Sequence, residues 1–389
     1  MAVGWDDVAD VANWTGLPPL DGDATADACV IGLGGSGLAA IESFLDRGLS
    51  VVGVDAGRVA AGAAGRNGGF LLGGPDAYLH SAIEAWGEDA AVWLYRRTLE
   101  ELDHLVEVVP QVVNRVGSIR LAGLPGDPES REEAADRAAE LRDCDEHEAA
   151  LRKHGIAVER YDGELGTGLF LPDDAAMNPA RRAIGLATLL RDRARLHERT
   201  TVTAVAPGKV VTERGTVTAP HVVVAVDGRL DLLVPSLAGA VRTARLQMVA
   251  TEPVRPGRLP CPVYGRWGYD YAQQDSSGRV FCGGGRDRFV ADEWTHHTEP
   301  SAQVQGYIAD LATRMAGEEV AVTHRWAASV GFTTWAGHGD GRALCTEVDD
   351  GVMAIGGYNG TGNLVGPVAA RAALAHLLDA TPVPPCFAG

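Results

Sequence analysis

The fold is decided by residues Cys29–Ala40, which have the sequence CVIGLGGSGLAA. An apolar run leads into glycines at positions 32, 34 and 37, and a second apolar run with helical spacing follows. In a G-x-G-x-x-G turn the first glycine forms the tight turn, and the second lets the backbone approach a pyrophosphate. The third allows close packing of helix on strand, and the helix N-terminus attracts phosphate. The pattern predicts a dinucleotide site, with an ordinary glycine-rich turn as the alternative.

The residues on either side of this turn favour a βαβ unit. Residues 28–33 are predicted to form a buried parallel strand, residues 36–47 a helix, and residues 50–55 (SVVGVD) a second strand. Asp55 closes that strand 18 residues after Gly37, where an acid would bind the ribose hydroxyls. A solvated carboxylate at the strand end is the alternative. Both FAD and NAD remain open at this point.

The bulk composition limits the partners and the compartment. The 389 residues allow two domains or one large core with an insertion. The net charge of −18 disfavours nucleic acid and anionic membranes as partners. The acidic N-terminus lacks the features of a signal peptide, and no apolar run has the length of a membrane span. The six cysteines show no CxxC and no metal spacing, which predicts free thiols in the cytoplasm and no metal site.

The order of the predicted elements indicates a discontinuous α/β architecture. Residues 1–80, 150–235 and 330–389 are expected to form a Rossmann-like nucleotide domain. Residues 81–149 and 236–329 are expected to form a β-rich α+β substrate domain. The predicted helices cover 77–109, 128–154, 179–195 and 367–378, and the predicted strands cover 201–205, 217–226 and 352–356, with a hairpin around Ser276-Ser277-Gly278.

The small-residue loop at 57–74, GRVAAGAAGRNGGFLLGG, distinguishes the two nucleotides. NAD domains do not follow their second strand with A-G-A-A-G-R-N-G-G. Such a loop offers backbone amides and little side-chain bulk, which suits a flat ring and a pyrophosphate. Arg66 is placed to offset phosphate charge and Asn67 to hydrogen-bond a ring edge. A flexible surface loop is the alternative.

Ordered blocks along nearly the whole chain carry a family resemblance. They are PPLDGDATADACVIG, GLSVVGVDAGRVAAGAAGRNGG, DDAAMNPARRAIGLA, VTAPHVVVAV, QMVATEP, GRVFCGGGR and GYNGTG. Together they resemble the flavoprotein amine and amino-acid oxidases of the D-amino-acid-oxidase and glycine-oxidase-like fold, nearest to the γ-glutamylputrescine oxidase type. The resemblance implies that the nucleotide is FAD.

The same resemblance assigns FAD-binding residues. The pyrophosphate would lie on the first glycine turn, the ribose at the end of the second strand, and the adenine on backbone near position 202. The flavin would lie on the small-residue loop and against the helix that follows the terminal motif, whose N-terminus favours negative charge. The implied cofactor residues are Gly32, Gly34, Gly35, Ser36, Gly37, Asp55, Ala56, Arg58, Gly65, Arg66, Asn67, Gly68, Gly69, Val202, Gly357, Gly360, Thr361, Gly362 and Asn363.

The resemblance also implies the reaction. Hydride leaves the α-carbon of a small amine or amino acid for flavin N5, and the resulting imine hydrolyses, with no strong base required. The candidate catalytic residues are Tyr358, Thr361, Tyr271 and His338. Trp267, Tyr269 and Tyr271 alternate on one predicted strand, where a stripe of core residues is the alternative to substrate contact. Arg286 is either a carboxylate anchor or an exposed hairpin arginine.

Three segments depart from the family pattern. No Asp-x-Leu-Pro segment follows WAASVGFTT, the terminal motif is Gly360-Thr361-Gly362 rather than Gly-His-Gly, and residues 225–229 are AVDGR. The substrate therefore does not transfer from the family, and a specialised biosynthetic enzyme remains an alternative.

The residue types missing from three segments bear on how FAD is attached and on which electron acceptor reoxidises it. No cysteine occupies SVGFTT and no histidine occupies 57–74, so FAD is expected to bind noncovalently. Since GRVFCGGGR lacks a lysine, a dehydrogenase with another acceptor is an alternative to an oxidase. A nicotinamide-dependent hydroxylase and a flavin-binding protein without turnover are further alternatives. The sequence does not determine the oligomeric state.

Overall fold

A computed structural model describes residues 3–334 and 339–388. Its first layer is a seven-stranded sheet, named here the nucleotide sheet, in which the first five strands are parallel. In spatial order the strands are Arg195–His197, Val51–Val54, Ala28–Ile31, His221–Val224, Val352–Gly356, Ala343–Asp349 and Phe387–Ala388. The strands Ala28–Ile31, Val51–Val54 and Val352–Gly356 consist of apolar or small residues that are all buried, as expected for a parallel sheet covered on both faces.

Seven helices have eight or more residues in the described part of the chain. They are Gly35–Asp46, Leu79–Trp86, Glu88–Val108, Arg131–Lys153, Pro179–Leu190, Ala302–Ala316 and Gly362–Asp379. The predicted helix at 179 begins at Pro179 because Asn178 accepts hydrogen bonds from the N–H groups of Ala180 and Arg181. Shorter helical turns are Gly4–Asp7, Ala9–Ala12, Ala63–Arg66, Asp227–Arg229, Leu230–Leu233, Pro235–Leu237, Arg266–Gly268 and Val290–Glu293.

The second large layer is a mixed sheet of eight strands, named here the substrate sheet. In spatial order they are Val322–Phe332, Arg242–Pro253, Arg279–Gly283, Asp270–Gln274, Val263–Gly265, Ser118–Leu121, Gly166–Leu171 and Glu159–Gly163. The predicted hairpin is confirmed, since Asp270–Gln274 and Arg279–Gly283 pair antiparallel. The helix Ala302–Ala316 packs on this sheet.

Two small sheets complete the fold. One contains Ala24–Thr25, Gly215–Thr218, Lys209–Thr212 and Val202–Ala206, and the other contains Phe70–Leu71, Ala175–Met177 and Val113–Asn114. The single strand predicted over 217–226 is wrong. It forms two strands in different sheets, separated at Pro220, which has no N–H for a strand ladder.

Two strands that follow the boundary predicted at residue 150 join the substrate sheet. They are Glu159–Gly163 and Gly166–Leu171. The outer strand is polar and mostly exposed, so its pattern carries no sign of the sheet it joins. The strand Val322–Phe332 likewise runs through the boundary placed at 329.

None of the described helices is long and apolar enough to span a membrane. The described residues contain no cluster of three or more histidine, cysteine or acidic side chains suited to a metal. All six cysteines are free and buried.

Candidate active site

The first glycine turn has a geometry that only glycine can form. Gly32 has a φ of +101°, and a Cβ there would lie 2.4 Å from the carbonyl oxygen of Ala225. A Cβ on Gly37 would lie 1.8 Å from the carbonyl oxygen of Gly32. The helix starts at Gly35, immediately after this turn. The turn therefore presents free backbone N–H groups where a pyrophosphate would bind.

Asp55 joins the two loops that follow the first and second strands. Its carboxylate accepts hydrogen bonds of 2.8 Å from the N–H groups of Leu33 and Gly57. Burial raises the pKa of this carboxyl above its ordinary value, and the two N–H groups oppose the shift. The carbonyl of Asp55 accepts from the N–H of Thr200, two residues before Val202. Ala56 and Arg58 continue the same loop, so the residues predicted for ribose and adenine lie together.

The small-residue loop is tied to the terminal motif by two facing amides. The side chain of Asn67 donates to Oδ1 of Asn363 over 3.2 Å, and Nδ2 of Asn363 donates back to Oδ1 of Asn67 over 3.1 Å. Gly65 is required here, because a Cβ there would lie 2.2 Å from the carbonyl oxygen of Ala60. Gly68 and Gly69 follow Asn67 and lead into the strand Phe70–Leu71. The structure thus brings the two predicted flavin segments together.

The N-termini of two helices converge at this point. A Cβ on Gly366 would lie 3.2 Å from Cβ of Ser36, so the helices Gly35–Asp46 and Gly362–Asp379 are in close contact. The guanidinium of Arg182 is buried beside them and donates to the carbonyl of Asn363 over 2.9 Å. Burial lowers its pKa to about 10. A positive group at two positive helix ends is suited to an anionic ligand such as FAD.

A cavity of about 260 Å³ separates these flavin segments from the substrate sheet. Its flavin side contains the predicted residues Arg66, Asn67, Gly68, Gly360, Thr361 and Asn363. Its far side contains Phe70, Asp76, Arg120, Arg245, Gln247, Tyr264, Trp267, Tyr269, Tyr271, Arg286, Glu293, Val330 and Phe332. Thr361 and Tyr271, both predicted to act in catalysis, therefore line one space.

Tyr358, a further predicted catalytic residue, does not belong to the described lining of the cavity. Tyr358 is buried behind the terminal motif, with its ring against Gly362 and Gly366. Its hydroxyl lies beside the Ser36 side chain at the first glycine turn, and no further hydrogen-bond partner is found for it among the described residues. This position next to the turn suits an oxygen acceptor at the pyrophosphate site. The prediction for His338 lies outside the described residues.

Arg286 lies in the cavity rather than on an exposed hairpin. Its guanidinium carbon is 4.2 Å from the ring centre of Phe332 and 5.4 Å from that of Tyr269. Within the described residues it forms no ion pair at 4.0 Å or less, and burial lowers its pKa. Trp267 lies in a turn before the strand, so the predicted three-residue stripe on one strand is wrong. All three aromatic residues of that stripe nevertheless line the cavity.

Sequence reasoning missed three polar groups of the site. Arg120 lies between the rings of Tyr78 and Tyr264, at 4.3 and 4.7 Å, and its Nε donates to the Tyr264 hydroxyl over 2.9 Å. Asp76 opens into the cavity. Asp227, within the departing AVDGR segment, binds the backbone of the terminal motif. None belongs to a motif, and only the AVDGR departure could have drawn attention to one of them.

The model of a protein family described as FAD dependent oxidoreductase (DAO) matches residues 27–377. The chain belongs to this family. It is 28% identical over 371 residues to the probable oxidoreductase OrdL of Rhizobium meliloti, covering 89% of this chain and 81% of that protein. It is 29% identical over 249 residues to the γ-glutamylputrescine oxidoreductase of Escherichia coli, covering 60% of this chain and 56% of that protein.

Solved structures of the same fold support the architecture of this DAO-family chain. The crystal structure of glycine oxidase from Geobacillus kaustophilus matches with a TM-score of 0.72 at 19% identity, covering 92% of this chain and 96% of that chain. The predicted α/β fold of the glycine-oxidase type is therefore confirmed. The chain is an FAD-dependent oxidoreductase, as its sequence predicted.

Proposed function

We propose that this oxidoreductase oxidises the C–N bond of a small amine that carries a carboxylate, with FAD bound noncovalently. The observation that carries this proposal is Arg286, a guanidinium in the cavity that has no ion-pair partner within the described residues. Arginine binds carboxylates through two parallel hydrogen bonds, which fixes the orientation of the substrate. The E. coli and Geobacillus relatives carry the names of an amine and an amino-acid oxidoreductase, in line with this class.

The residues present suit FAD. The glycine turn and the Tyr358 hydroxyl beside Ser36 would hold the pyrophosphate, Asp55 the ribose, and the Asn67–Asn363 pair an edge of the flavin. When bound, FAD supplies the oxidising group and accepts a hydride equivalent from the substrate carbon. No cysteine or histidine lines the cavity within the described residues, which supports noncovalent binding.

The chain's own contribution is to bind and orient the substrate and to exclude water from the cavity. Arg286 would hold the carboxylate, and Tyr269, Tyr271 and Phe332 would enclose the apolar part of the substrate. The N-terminus of the helix Gly362–Asp379 would stabilise negative charge on the bound flavin. Exclusion of water strengthens each of these electrostatic contacts.

An electron acceptor other than oxygen is the second candidate. The cavity has four arginines and no lysine among its described lining residues. The chain's two lysines are Lys153 and Lys209, and both lie outside that lining. Comparing the reoxidation rate of the reduced holoenzyme by oxygen and by a quinone separates the two candidates.

The test is anaerobic reduction of the holoenzyme by a panel of amines with and without a carboxylate, monitored by flavin bleaching. Arg286→Gln is expected to raise the KM of carboxylate-bearing amines by about 10- to 100-fold, since charged hydrogen bonds contribute about 1.5–3 kcal/mol. Amines without a carboxylate should be affected much less. Arg288→Gln, at an exposed arginine two residues on, is the matched control. Failure of every amine to bleach the flavin would refute the proposed function.

A further inference from the structure

Asp76 is a carboxylate of the cavity to which the proposed function gives no role. It lies between the strand Phe70–Leu71 and the helix Leu79–Trp86, and its exposed surface opens into the cavity. A Cβ on Gly341 would lie 4.0 Å from Asp76 Oδ1, and the carbonyl of Gly341 accepts from Asn359 Nδ2 over 2.9 Å. Asp76 is therefore a neighbour of Gly341, which is hydrogen-bonded to Asn359 of the terminal flavin motif.

The charges that line the cavity are unbalanced. Arg245 and Glu293 form an ion pair of 2.6 Å, and Gln247 donates to both oxygens of that carboxylate. This pair neutralises itself. The remaining charged groups of the described lining are the guanidiniums Arg66, Arg120 and Arg286 and the carboxylate Asp76.

Asp76 makes no ion pair within 4.0 Å among the described residues. It is therefore the one carboxylate of the described lining that is left to meet a cation. The arginines around it would repel an ammonium group anywhere else in the cavity, and they would also lower the pKa of that ammonium. The ammonium form of the substrate must lose one proton before its nitrogen has a lone pair that can help to expel hydride from the neighbouring carbon.

We propose that Asp76 binds the ammonium group of the substrate and accepts one of its protons, while Arg286 holds the carboxylate. An N–H bond of the ammonium breaks and an O–H bond forms on Asp76. The nitrogen lone pair then forms the C=N bond as hydride leaves the carbon for oxidised FAD, which leaves an iminium that hydrolyses. This inference rests on the proposed function.

The surroundings of Asp76 suit a proton acceptor that works near neutral pH. Although the Asp76 side chain keeps surface exposed to the cavity, the protein packed around it desolvates the carboxylate and raises its pKa to about 6. The neighbouring N–H groups, Arg286 and Arg120 oppose this shift. At neutral pH most of the carboxylate is therefore ionised and able to take a proton. The titratable and charged groups on the elements around it are Arg286, Arg120, Tyr264, Tyr78, His80, Glu84, Tyr95, Glu140, Asp174, Tyr269, Tyr271, Asp340 and Arg342. His338 lies outside the described residues.

The first test is the pH dependence of anaerobic flavin reduction in the holoenzyme. In the wild type, the rate should fall as the pH drops through about 6, because protonated Asp76 cannot accept a proton. In Asp76→Asn the rate should no longer fall as the pH drops through about 6, and it should be about 100-fold lower than in the wild type at neutral pH. Glu84 is an exposed carboxylate on the helix Leu79–Trp86. Glu84→Gln also removes one negative charge, but outside the cavity, so it should keep the wild-type rate and the decrease in rate below about pH 6.

The second test needs no turnover. Acetate is titrated into the holoenzyme and its binding is followed by the flavin absorption. In the wild type, acetate should bind about tenfold more tightly as the pH falls through about 6, because Asp76 loses its charge near Arg286. In Asp76→Asn binding should be tight at both pH values.

The outcomes separate the two proposals. If no amine reduces the wild-type flavin, the proposed function fails and the role of Asp76 fails with it. If amines reduce the wild-type flavin while Asp76→Asn keeps both the decrease in rate at acidic pH and the pH dependence of acetate binding, only the role of Asp76 is overturned. Equal flavin content in wild type and variant shows that a loss of rate is not a loss of FAD.

Discussion

A single side chain, Asp227, joins three parts of the molecule that form the site. It has a φ of +47° just after the strand His221–Val224. Its carboxylate accepts from the N–H groups of Gly331 over 2.9 Å, Gly357 over 3.0 Å and Tyr358 over 3.4 Å. The nucleotide sheet, the substrate sheet and the terminal flavin motif thus meet at one charged group. The AVDGR departure from the family therefore has a structural role here.

Replacing Asp227 should release the terminal motif. Asp227→Ala leaves these buried N–H groups without an acceptor, at a cost of about 1–3 kcal/mol for each group that remains unsatisfied. We expect the free energy of unfolding to fall by about 2–4 kcal/mol and FAD to bind at least about tenfold more weakly. Urea unfolding and fluorescence titration with FAD measure the two effects.

Asp227→Asn is the graded control, because the amide keeps one acceptor oxygen. It should fall between the wild type and the alanine variant in both measurements. An alanine variant that unfolds at the wild-type urea concentration would show that the three hydrogen bonds contribute little.

At the scale of elements, the charged helix Arg131–Lys153 supports the cavity wall. The turn that carries Trp267 has consecutive positive φ angles of 49°, 56° and 86° at Arg266, Trp267 and Gly268. Such backbone costs about 1–3 kcal/mol for each residue other than glycine. Glu140 holds the turn by accepting from the N–H groups of Arg266 over 3.1 Å and Trp267 over 2.6 Å. This charged helix therefore carries a buried contact that shapes the site.

Glu140 should make stability depend on pH. Burial raises its pKa to about 7 from an ordinary value of 4.5, so between these values the folded state binds more protons than the unfolded state. The stability contributed by the protonated form is complete below about pH 4.5 and is lost as the pH rises through about 7. Relative to Glu140→Gln, the wild type should lose up to about 3 kcal/mol over this window.

Urea unfolding of the two proteins at about pH 5, 6, 7 and 8 measures this difference. The difference should become constant above about pH 8, where the carboxyl is ionised in both states. Asp136→Asn, at an exposed carboxylate of the same helix that forms no ion pair among the described residues, should leave the pH dependence unchanged. A constant difference between wild type and Glu140→Gln across the whole range would contradict the prediction.

Elements defined by local pattern were predictable from the sequence. The first glycine turn and the hairpin at 270–283 follow from spacing alone, because neighbouring residues determine both. The cavity was not predictable, since its wall depends on strand order. Ser118–Leu121 pairs with Val263–Gly265, which brings Arg120 beside Tyr264 across 144 positions of the chain. Asp76 and Glu140 reach the site in the same way, through packing that no local pattern records.

At the scale of the whole molecule, the N-terminal segment connects the small-residue loop to the substrate sheet. The ring of Trp5 is buried and stacks on Phe281, with ring centres 3.5 Å apart. Its Nε1 donates to the carbonyl of Asn67 over 2.9 Å, and its carbonyl accepts from Asn178 Nδ2 over 3.1 Å. One residue near the start of the chain thus contacts the substrate sheet, the flavin loop and the cap of the helix Pro179–Leu190.

Trp5 should therefore affect both stability and FAD retention. Trp5→Ala leaves a cavity against Phe281 and is expected to lower the free energy of unfolding by about 3–5 kcal/mol. Trp5→Phe keeps a ring for stacking but loses the hydrogen bond to Asn67 and some packing. It should lower the free energy of unfolding by about 1 kcal/mol for the hydrogen bond and by a smaller amount for the packing. FAD release after dilution, followed by flavin fluorescence, should be fastest in the alanine variant, because the loop at Asn67 then loses both the hydrogen bond from Trp5 and the ring packed against Phe281. Equal release rates in all three proteins would mean that the flavin loop is held by the Asn67–Asn363 pair alone.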